Sequence, residues 1–156
     1  MKELITQALD AATLAGATYA DARLVETRHQ QLSVRTGHVE GIGSGESLGI
    51  GIRTIAEGAW GFTATSDLSA KGIIAAARQA VALSRAAAIT ARTPVVLAPL
   101  EAVTDTWTGP CDIDPFSVAV DAKHALLLLA DDVLRTDKRV RVPSARMGFI
   151  AVRKTF

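Results

Sequence analysis

The 156-residue sequence lacks the features that define several classes of protein. It has one cysteine, Cys111, so no disulfide forms within the chain and no zinc cluster of several cysteines can be built from it. No uninterrupted apolar run approaches the roughly 18 residues that a membrane-spanning helix needs. The N-terminal segment carries an early acid, Glu3, and then becomes amphipathic, which is unlike a secretion signal. We therefore expect a cytoplasmic protein without a membrane partner.

The sequence also lacks an excess of charge of one sign. Seventeen lysines and arginines face sixteen acidic residues, which leaves a formal net charge of +1. A nucleic-acid-binding protein normally concentrates a basic surplus on one face. The only local surplus lies near the C-terminus, where basic residues alternate with valines as they do on the solvated faces of strands: Lys138, Arg139, Arg141, Arg146, Arg153 and Lys154. The sequence predicts no direct nucleic-acid partner.

Aromatic residues are scarce, and small aliphatic residues take their place. Hydrophobic residues make up 49% of the chain, whereas aromatic residues make up 4%. This composition is typical of a globular fold packed from aliphatic side chains and excludes a disordered chain. The length is sufficient for one ordinary domain with its own core.

Apolar residues three and four positions apart predict three helices. Gly16 follows the first helix as a C-cap, and Pro115 suits the first position of the third helix. The helices are expected over residues 2–15, from a cap at Ser66 or Asp67 to Ala88, and from a cap at Asp114 to about Thr136.

Alternation of apolar and polar residues predicts strands between these helices. The links between neighbouring strands are too short for parallel crossovers, so the strands should form antiparallel hairpins. We expect an α+β fold in which an antiparallel sheet of hairpins packs against two or three helices. The predicted strands cover residues 19–24, 32–34, a short segment around Val39, and residues 48–55, 59–64, 95–97 and 138–156.

Glycines are repeated in the predicted strand 48–55. Glycine weakens a strand, so Gly49 and Gly51 indicate that another backbone or a bulky ring approaches the sheet closely. Trp60 and Phe62 share one side of the next strand and are placed to cover these glycines. Such covering would be structural.

Ser47 lies in a G-x-S-x-G match, Gly45-Glu46-Ser47-Leu48-Gly49. In a serine hydrolase this motif forms a strained strand-to-helix turn, and a histidine follows later in the chain. Here a predicted strand follows Ser47, and the one downstream histidine, His124, lies in a predicted helix. A serine hydrolase that uses Ser47 is therefore a remote alternative.

Phosphate-binding and metal-binding patterns are missing as well. The sequence contains neither G-x-G-x-x-G nor G-x-x-x-x-G-K-[ST], and none of its histidines belongs to an H-E-x-x-H pattern. His38 and Glu40 point to one side of a strand and are able to share an ion, but polar surface residues beside a turn explain them equally well. The acidic pairs are interpreted as helix-surface and capping groups: Asp131 with Asp132, and Asp112 with Asp114.

Two neighbouring segments carry a family resemblance. Residues 49–53 read G-I-G-I-R, and residues 58–68 read G-A-W-G-F-T-A-T-S-D-L. Together they resemble the N-terminal region of the TldD/PmbA family, in which a G-[IV]-G-[IV]-R strand precedes a G-x-x-G-F-[AT] segment and a helix. The opening helix, the Tyr19 to Arg23 strand and the segments 137–140 and 153–156 also agree with this family. The resemblance extends over essentially the whole chain and favours the TldD branch.

The resemblance implies a metalloprotease that degrades or processes peptides, and older names in the family describe modulators of DNA gyrase. The family's zinc-type site uses an H-E-x-x-x-H helix and a further cysteine, in a part of the protein beyond this module. None of those positions occurs in this sequence, so we assign no catalytic residue and no metal ligand here, and Cys111 is not the family's cysteine ligand. A zinc-type metal is expected in the full-length parent.

The resemblance also implies the organisation of the chain and its partners. Residues 1–156 are expected to form a single N-terminal domain, with 138–156 the start of a central region truncated at the C-terminus. The expected partners are a family subunit, in a homo- or hetero-dimer, and a peptide substrate that reaches the full protein. The expected function is that of a non-catalytic scaffold or assembly module, and the alternative is a free-standing peptide-binding or assembly module.

Four residues are candidates for contacts with a peptide or a subunit. These are Gly49, Gly51, Arg53 and Trp60. A glycine-rich sheet suits the addition of a peptide strand at its edge, because backbone hydrogen bonds then bind with little sequence preference. The alternative is that Arg53 caps the end of a strand and that Trp60 fills the core.

Overall fold

The computed structural model describes all 156 residues and contains three helices and four strands. It confirms the predicted α+β class with an antiparallel sheet. No helix is both long enough and apolar enough to cross a membrane. In chain order the elements are α1 (Lys2–Leu14), β1 (Tyr19–Arg35), β2 (His38–Ala56), β3 (Ala59–Thr65), α2 (Ala70–Ala88), α3 (Val120–Arg135) and β4 (Ser144–Thr155).

The sheet is built on two consecutive hairpins. Its strand order is β3-β2-β1-β4. The turns between the first three strands contain residues with positive φ: Thr36 at 52° and Gly37 at 78° in the first, Glu57 at 54° and Gly58 at 77° in the second. Two consecutive positive φ values are typical of the turns that match the twist of a hairpin.

Strands β1 and β2 are longer than predicted. The expected strands 19–24 and 32–34 are parts of one 17-residue strand, and the segments near Val39 and 48–55 are parts of one 19-residue strand. Residues 25–31 contain neither glycine nor proline, so nothing in them ends a strand once its neighbour supplies hydrogen bonds. The expected strand 95–97 is absent, although the Val95 N–H donates to the Gly58 carbonyl at 2.8 Å.

The chain divides into two compact units. The first unit comprises Met1–Glu26, Ser47–Val103 and Val152–Phe156, and the second comprises Thr27–Glu46 and Thr104–Ala151. The long strands β1 and β2 therefore contribute residues to both units. The extent of the family domain along the chain stays a prediction.

In the first unit, α2 lies very close to the sheet. A Cβ atom added to Gly61 would lie 2.1 Å from the Ala80 carbonyl oxygen and 2.5 Å from the Ser84 nitrogen. The Thr63 hydroxyl donates a 2.7 Å hydrogen bond to the Ala76 carbonyl, which fixes the helix along β3. The buried apolar residues of this unit come from α1, α2 and one face of the sheet, and include Ala8, Ala12, Ala22, Leu24, Ile50, Ile52, Ile73, Ala77, Ala80 and Val81.

The second unit has a smaller core and a buried acid. Leu32 and Val34 of β1 pack with Leu127 of α3. Asp131 is fully buried; its carboxylate accepts the Gly37 N–H at 2.7 Å and pairs with the Arg135 Nε at 3.0 Å. The interpretation of Asp131 as a helix-surface residue is therefore wrong, because this carboxylate holds the turn between β1 and β2.

Helices α2 and α3 begin later than predicted. Ser69 is the N-cap of α2 and accepts the Gly72 N–H at 3.1 Å, whereas Asp67 accepts the Ser69 N–H one step earlier. Hydrogen bonding from the side chain and the backbone of Ser69 lowers the pKa of the Asp67 carboxyl from its ordinary value. Asp114 likewise forms a local turn by accepting the Phe116 N–H at 2.9 Å, and α3 begins only at Val120. Short polar side chains form such turns as readily as helix caps, which explains both differences.

We predict that Gly61→Ala destabilises the protein by about 3 kcal/mol, because the added methyl forces α2 away from the sheet. Gly148→Ala is the matched control, since a Cβ at Gly148 meets no atom within 4 Å. Urea unfolding followed by circular dichroism measures both variants. Equal stability of the two variants would contradict the packing described for α2.

Candidate functional site

One face of the sheet in the first unit is not covered by helices. Ile50 and Ile52 of β2 are buried against α1 and α2, so the residues that alternate with them point to the other side. The register pairs Arg53 with Phe62 and Gly51 with Ala64, which places the side chains of both strands on that side. We call this surface the open face; it carries Tyr19, Asp21 and Arg23 of β1, Gly49, Gly51 and Arg53 of β2, and Trp60, Phe62 and Ala64 of β3.

Arg53 is held at the centre of a cluster on the open face. Its Nε and Nη2 donate to Oδ2 of Asp21 at 2.8 and 2.7 Å. Its guanidinium lies over the Trp60 ring at 4.6 Å, and the Trp60 ring meets Tyr19 edge-on at 5.9 Å. The hydrogen bond to Asp21 raises the pKa of Arg53 above its ordinary value. The arginine is therefore charged and fixed in orientation, while its Nη1 donors are not used by Asp21.

A groove of about 630 Å³ runs along the open face beside this cluster. Clefts that hold small molecules or short peptide segments typically have volumes of about 300–1,000 Å³. Three of the four candidate residues, Gly49, Gly51 and Arg53, line it. The other lining residues are Asp21, Arg23, Val25, Ser47, Leu48, Ile50, Phe62, Ala64, Thr65 and Ser66.

The glycines form the floor of the groove. A Cβ at Gly51 would lie 3.2 Å from the Phe62 ring, and a Cβ at Gly49 would lie 3.1 Å from the Thr65 carbonyl oxygen. Phe62 thus covers Gly51, as the sequence predicted, but its side chain remains 60% exposed. Trp60 instead contacts Arg53 and Tyr19.

Arg53 does not cap the end of a strand, and Trp60 does not fill the core, which were the alternative roles for these residues. Arg53 lies inside β2, three residues before its last residue, Ala56. Trp60 is half-buried on the open face and does not belong to the core of the first unit.

Two charged residues that line the groove, Asp21 and Arg23, were not identified from the sequence. Asp21 orients Arg53, although 32 positions separate the two residues. Arg23 lies 4.4 Å from the Phe156 ring and has no carboxylate partner within ion-pair distance. The alternation of Tyr19, Asp21 and Arg23 along β1 was the available signal, since it places all three on one face.

Ser47 lies inside strand β2 and is exposed at the groove. A nucleophile elbow requires a strained turn from strand to helix, and the only residues other than glycine with positive φ are Thr36 and Glu57. Ser47 does not have the local geometry of that motif.

The side chains of this chain do not fit a protease metal site. No three His, Cys, Asp or Glu residues are grouped so that they could hold an ion. Glu40 pairs with Arg35 at 3.0 Å, and the exposed Cys111 thiol donates to the Ile113 carbonyl. No step of metal chemistry is assigned to these residues.

We predict that Tyr19, the only tyrosine, titrates above its ordinary pKa of 10.0. Burial raises this pKa first, and the neighbouring Asp21 carboxylate raises it further. Because the folded state holds the proton more tightly, Tyr19 stabilises the fold below the ordinary pKa, and this contribution is lost as the pH rises through the raised value.

The phenolate absorbance of the folded chain measures this titration, and Asp21→Asn should lower the midpoint. A wild-type midpoint at or below that of the urea-unfolded chain would show that the Tyr19 environment is wrong.

Residues 20–84 match the family model described as PmbA/TldA metallopeptidase domain 1. This segment contains nearly all of β1, all of β2 and β3, and most of α2. Every residue that lines the groove lies within it. No curated protein matches the sequence.

Solved structures with a similar fold are about three times as long as this chain. Two are described as candidate modulators of DNA gyrase: one from Bacteroides thetaiotaomicron (TM-score 0.69, 18% identity, 98% of this chain and 36% of that chain covered) and one from Thermotoga maritima (TM-score 0.72, 16% identity, 98% and 34% covered). A third is TldE from Thermococcus kodakarensis (TM-score 0.69, 11% identity, 97% and 35% covered). At these identities the likeness establishes the fold.

Proposed function

We propose that this chain, which belongs to the PmbA/TldD family through its first domain, is a non-catalytic module that binds peptide for a zinc-type metallopeptidase. The observation that carries the proposal is the groove on the open face, where a glycine floor lies beside a fixed arginine. In the proposed parent protein the zinc-type metal and its ligands lie outside this chain, and a second family subunit completes the assembly.

The groove has the chemistry that a peptide requires. Gly49 and Gly51 put no side chain of their own into the groove, so an extended backbone is able to lie against this segment beside the Phe62 ring that covers Gly51. Phe62 offers an exposed ring to apolar side chains. Arg53 and Arg23 offer guanidinium donors to carbonyl oxygens or carboxylates, because Asp21 occupies only part of Arg53 and no carboxylate pairs with Arg23.

A free-standing peptide-binding module is the second candidate function. The groove lies entirely within the first unit and is formed without any further chain. Binding at the groove is therefore common to both candidates, which differ in whether a catalytic region accompanies this module.

The coding sequence after the Phe156 codon separates the two candidates. The metallopeptidase module predicts an in-frame H-E-x-x-x-H within the following region. A stop codon directly after Phe156 would contradict that module and favour the free-standing one. Neither result depends on whether the groove binds peptide.

Binding at the groove is tested with Arg53→Met, which keeps the apolar stem and removes the guanidinium. A fluorescein-labelled pool of random hexapeptides should bind this variant about tenfold more weakly, because charge-assisted hydrogen bonds are lost. Fluorescence anisotropy measures the binding.

Arg78→Met is the matched control, since Arg78 lies in α2 and does not line the groove. Equal affinity of both variants and the wild type, or no binding by the wild type, would refute the groove as the peptide site.

A further inference from the structure

Strand β2 is much longer than the strand that pairs with it on one side. Strand β3 pairs with β2 only from Ile50 to Ala56, whereas β2 begins at His38. In the second unit, residues 38–46 of β2 therefore have β1 on one side and no strand on the other. We call residues 38–46 the free edge.

The hairpin to β3 shows which backbone groups the free edge presents. A two-residue turn joins Ala56 to Ala59, and the pair that closes such a turn exchanges both backbone hydrogen bonds. The even-numbered residues of β2 thus direct their N–H and C=O groups toward the β3 side. Contacts between β1 and β2 pair Asp21 with Arg53, His29 with Gly45 and Ser33 with Gly41, so one register holds from residue 41 to residue 53 of β2. Over this length the same alternation directs the backbone groups of Ile42, Ser44 and Glu46 outward.

The free edge lacks the features that normally protect a strand edge. Natural edges are protected by lysine, proline, inward charges or a covering loop. Residues 38–46 contain neither lysine nor proline, and their backbone makes no hydrogen bond to a loop. Both glutamates are engaged within the sheet: Glu46 pairs with Arg28 at 3.0 Å and Glu40 with Arg35 at 3.0 Å. The acidic side chains of the free edge are therefore neutralised, and its outward backbone groups are not covered by a loop.

Glycines along the free edge indicate what would bind there. Two glycines of β2 are covered by a ring from an adjacent strand: Phe62 lies over Gly51, and His29 lies over Gly45 within the free edge. A Cβ added at Gly41 would meet only the Ser33 hydroxyl at 3.5 Å, and a Cβ added at Gly43 would meet no atom within 4 Å. A second copy paired through the same edge would set glycines against glycines and gain few cross-strand contacts, whereas a peptide with large side chains would cover them.

We propose that the free edge binds an extended peptide as an added strand, with large apolar side chains at alternate positions over Gly41 and Gly43. Outward N–H and C=O groups supply the backbone hydrogen bonds, and the glycines accommodate the side chains. This gives the peptide a second binding surface in the second unit, and its biological role rests on the peptide-binding function proposed above.

The test uses a labelled, capped heptapeptide in which threonine and phenylalanine alternate between two terminal lysines. Ser44→Pro removes one outward N–H and places a ring at the edge, so anisotropy should show at least about tenfold weaker binding. Ser44→Thr keeps the N–H and should bind within about twofold of the wild type. Arg78→Met, in α2, should also bind within about twofold. The groove is tested with Arg53→Met and the hexapeptide pool, and the free edge with Ser44→Pro and this heptapeptide, so the two proposals fail separately.

A second arm leaves the protein unchanged and therefore does not depend on the folding of Ser44→Pro. Two versions of the heptapeptide are N-methylated at alternate residues, one at the odd-numbered positions and one at the even-numbered positions. In one version the methyl groups replace the N–H groups that would bind the free edge, so this version should bind at least about tenfold more weakly than the unmodified peptide. Unchanged binding of both versions would overturn the proposal. Concentration-dependent dimerisation that Ser44→Pro abolishes would assign the edge to a second copy and would also overturn it.

Discussion

The close packing of α2 on β3 at Gly61 is the constraint on which the first unit depends. The absence of a side chain there lets the helix backbone approach the sheet, and the alanines of α2 complete the contact. Since this packing buries the aliphatic side chains of one sheet face, the other face is left to polar and aromatic residues. The groove is a consequence of that division, because β2 presents Ile50 and Ile52 to the helices and Gly49, Gly51 and Arg53 to the open face.

Arg53 gives the open face its chemical character. A free arginine side chain is mobile and loses entropy on binding. Here Asp21 and Trp60 fix the guanidinium from two directions, so part of that loss is already incurred in the unbound protein. Arg23 differs, because only the Phe156 ring contacts its guanidinium and no carboxylate competes for its donors. The groove thus combines one oriented cation with one available cation.

Local patterns in the sequence predicted the three helices, the hairpins and the position of the glycine floor. Periodicity and turn residues are local properties, and they are read directly from neighbouring positions. Long-range pairings were not predictable in this way. The Asp21–Arg53 ion pair joins residues 32 positions apart, and the hydrogen bond from Gly37 to Asp131 joins residues 94 positions apart. The predicted start of α3 was wrong because Asp114 and Pro115 fit the start of a helix and a simple turn equally well.

The central claim is that this chain binds peptides and does not cleave them. Mass spectrometry of a defined peptide mixture, incubated with the purified chain and Zn²⁺ and then recovered from it, tests this most directly. The account predicts that bound peptides are enriched and recovered intact. Recovery of cleaved fragments that a chelator prevents, or no retained peptide at all, would contradict it.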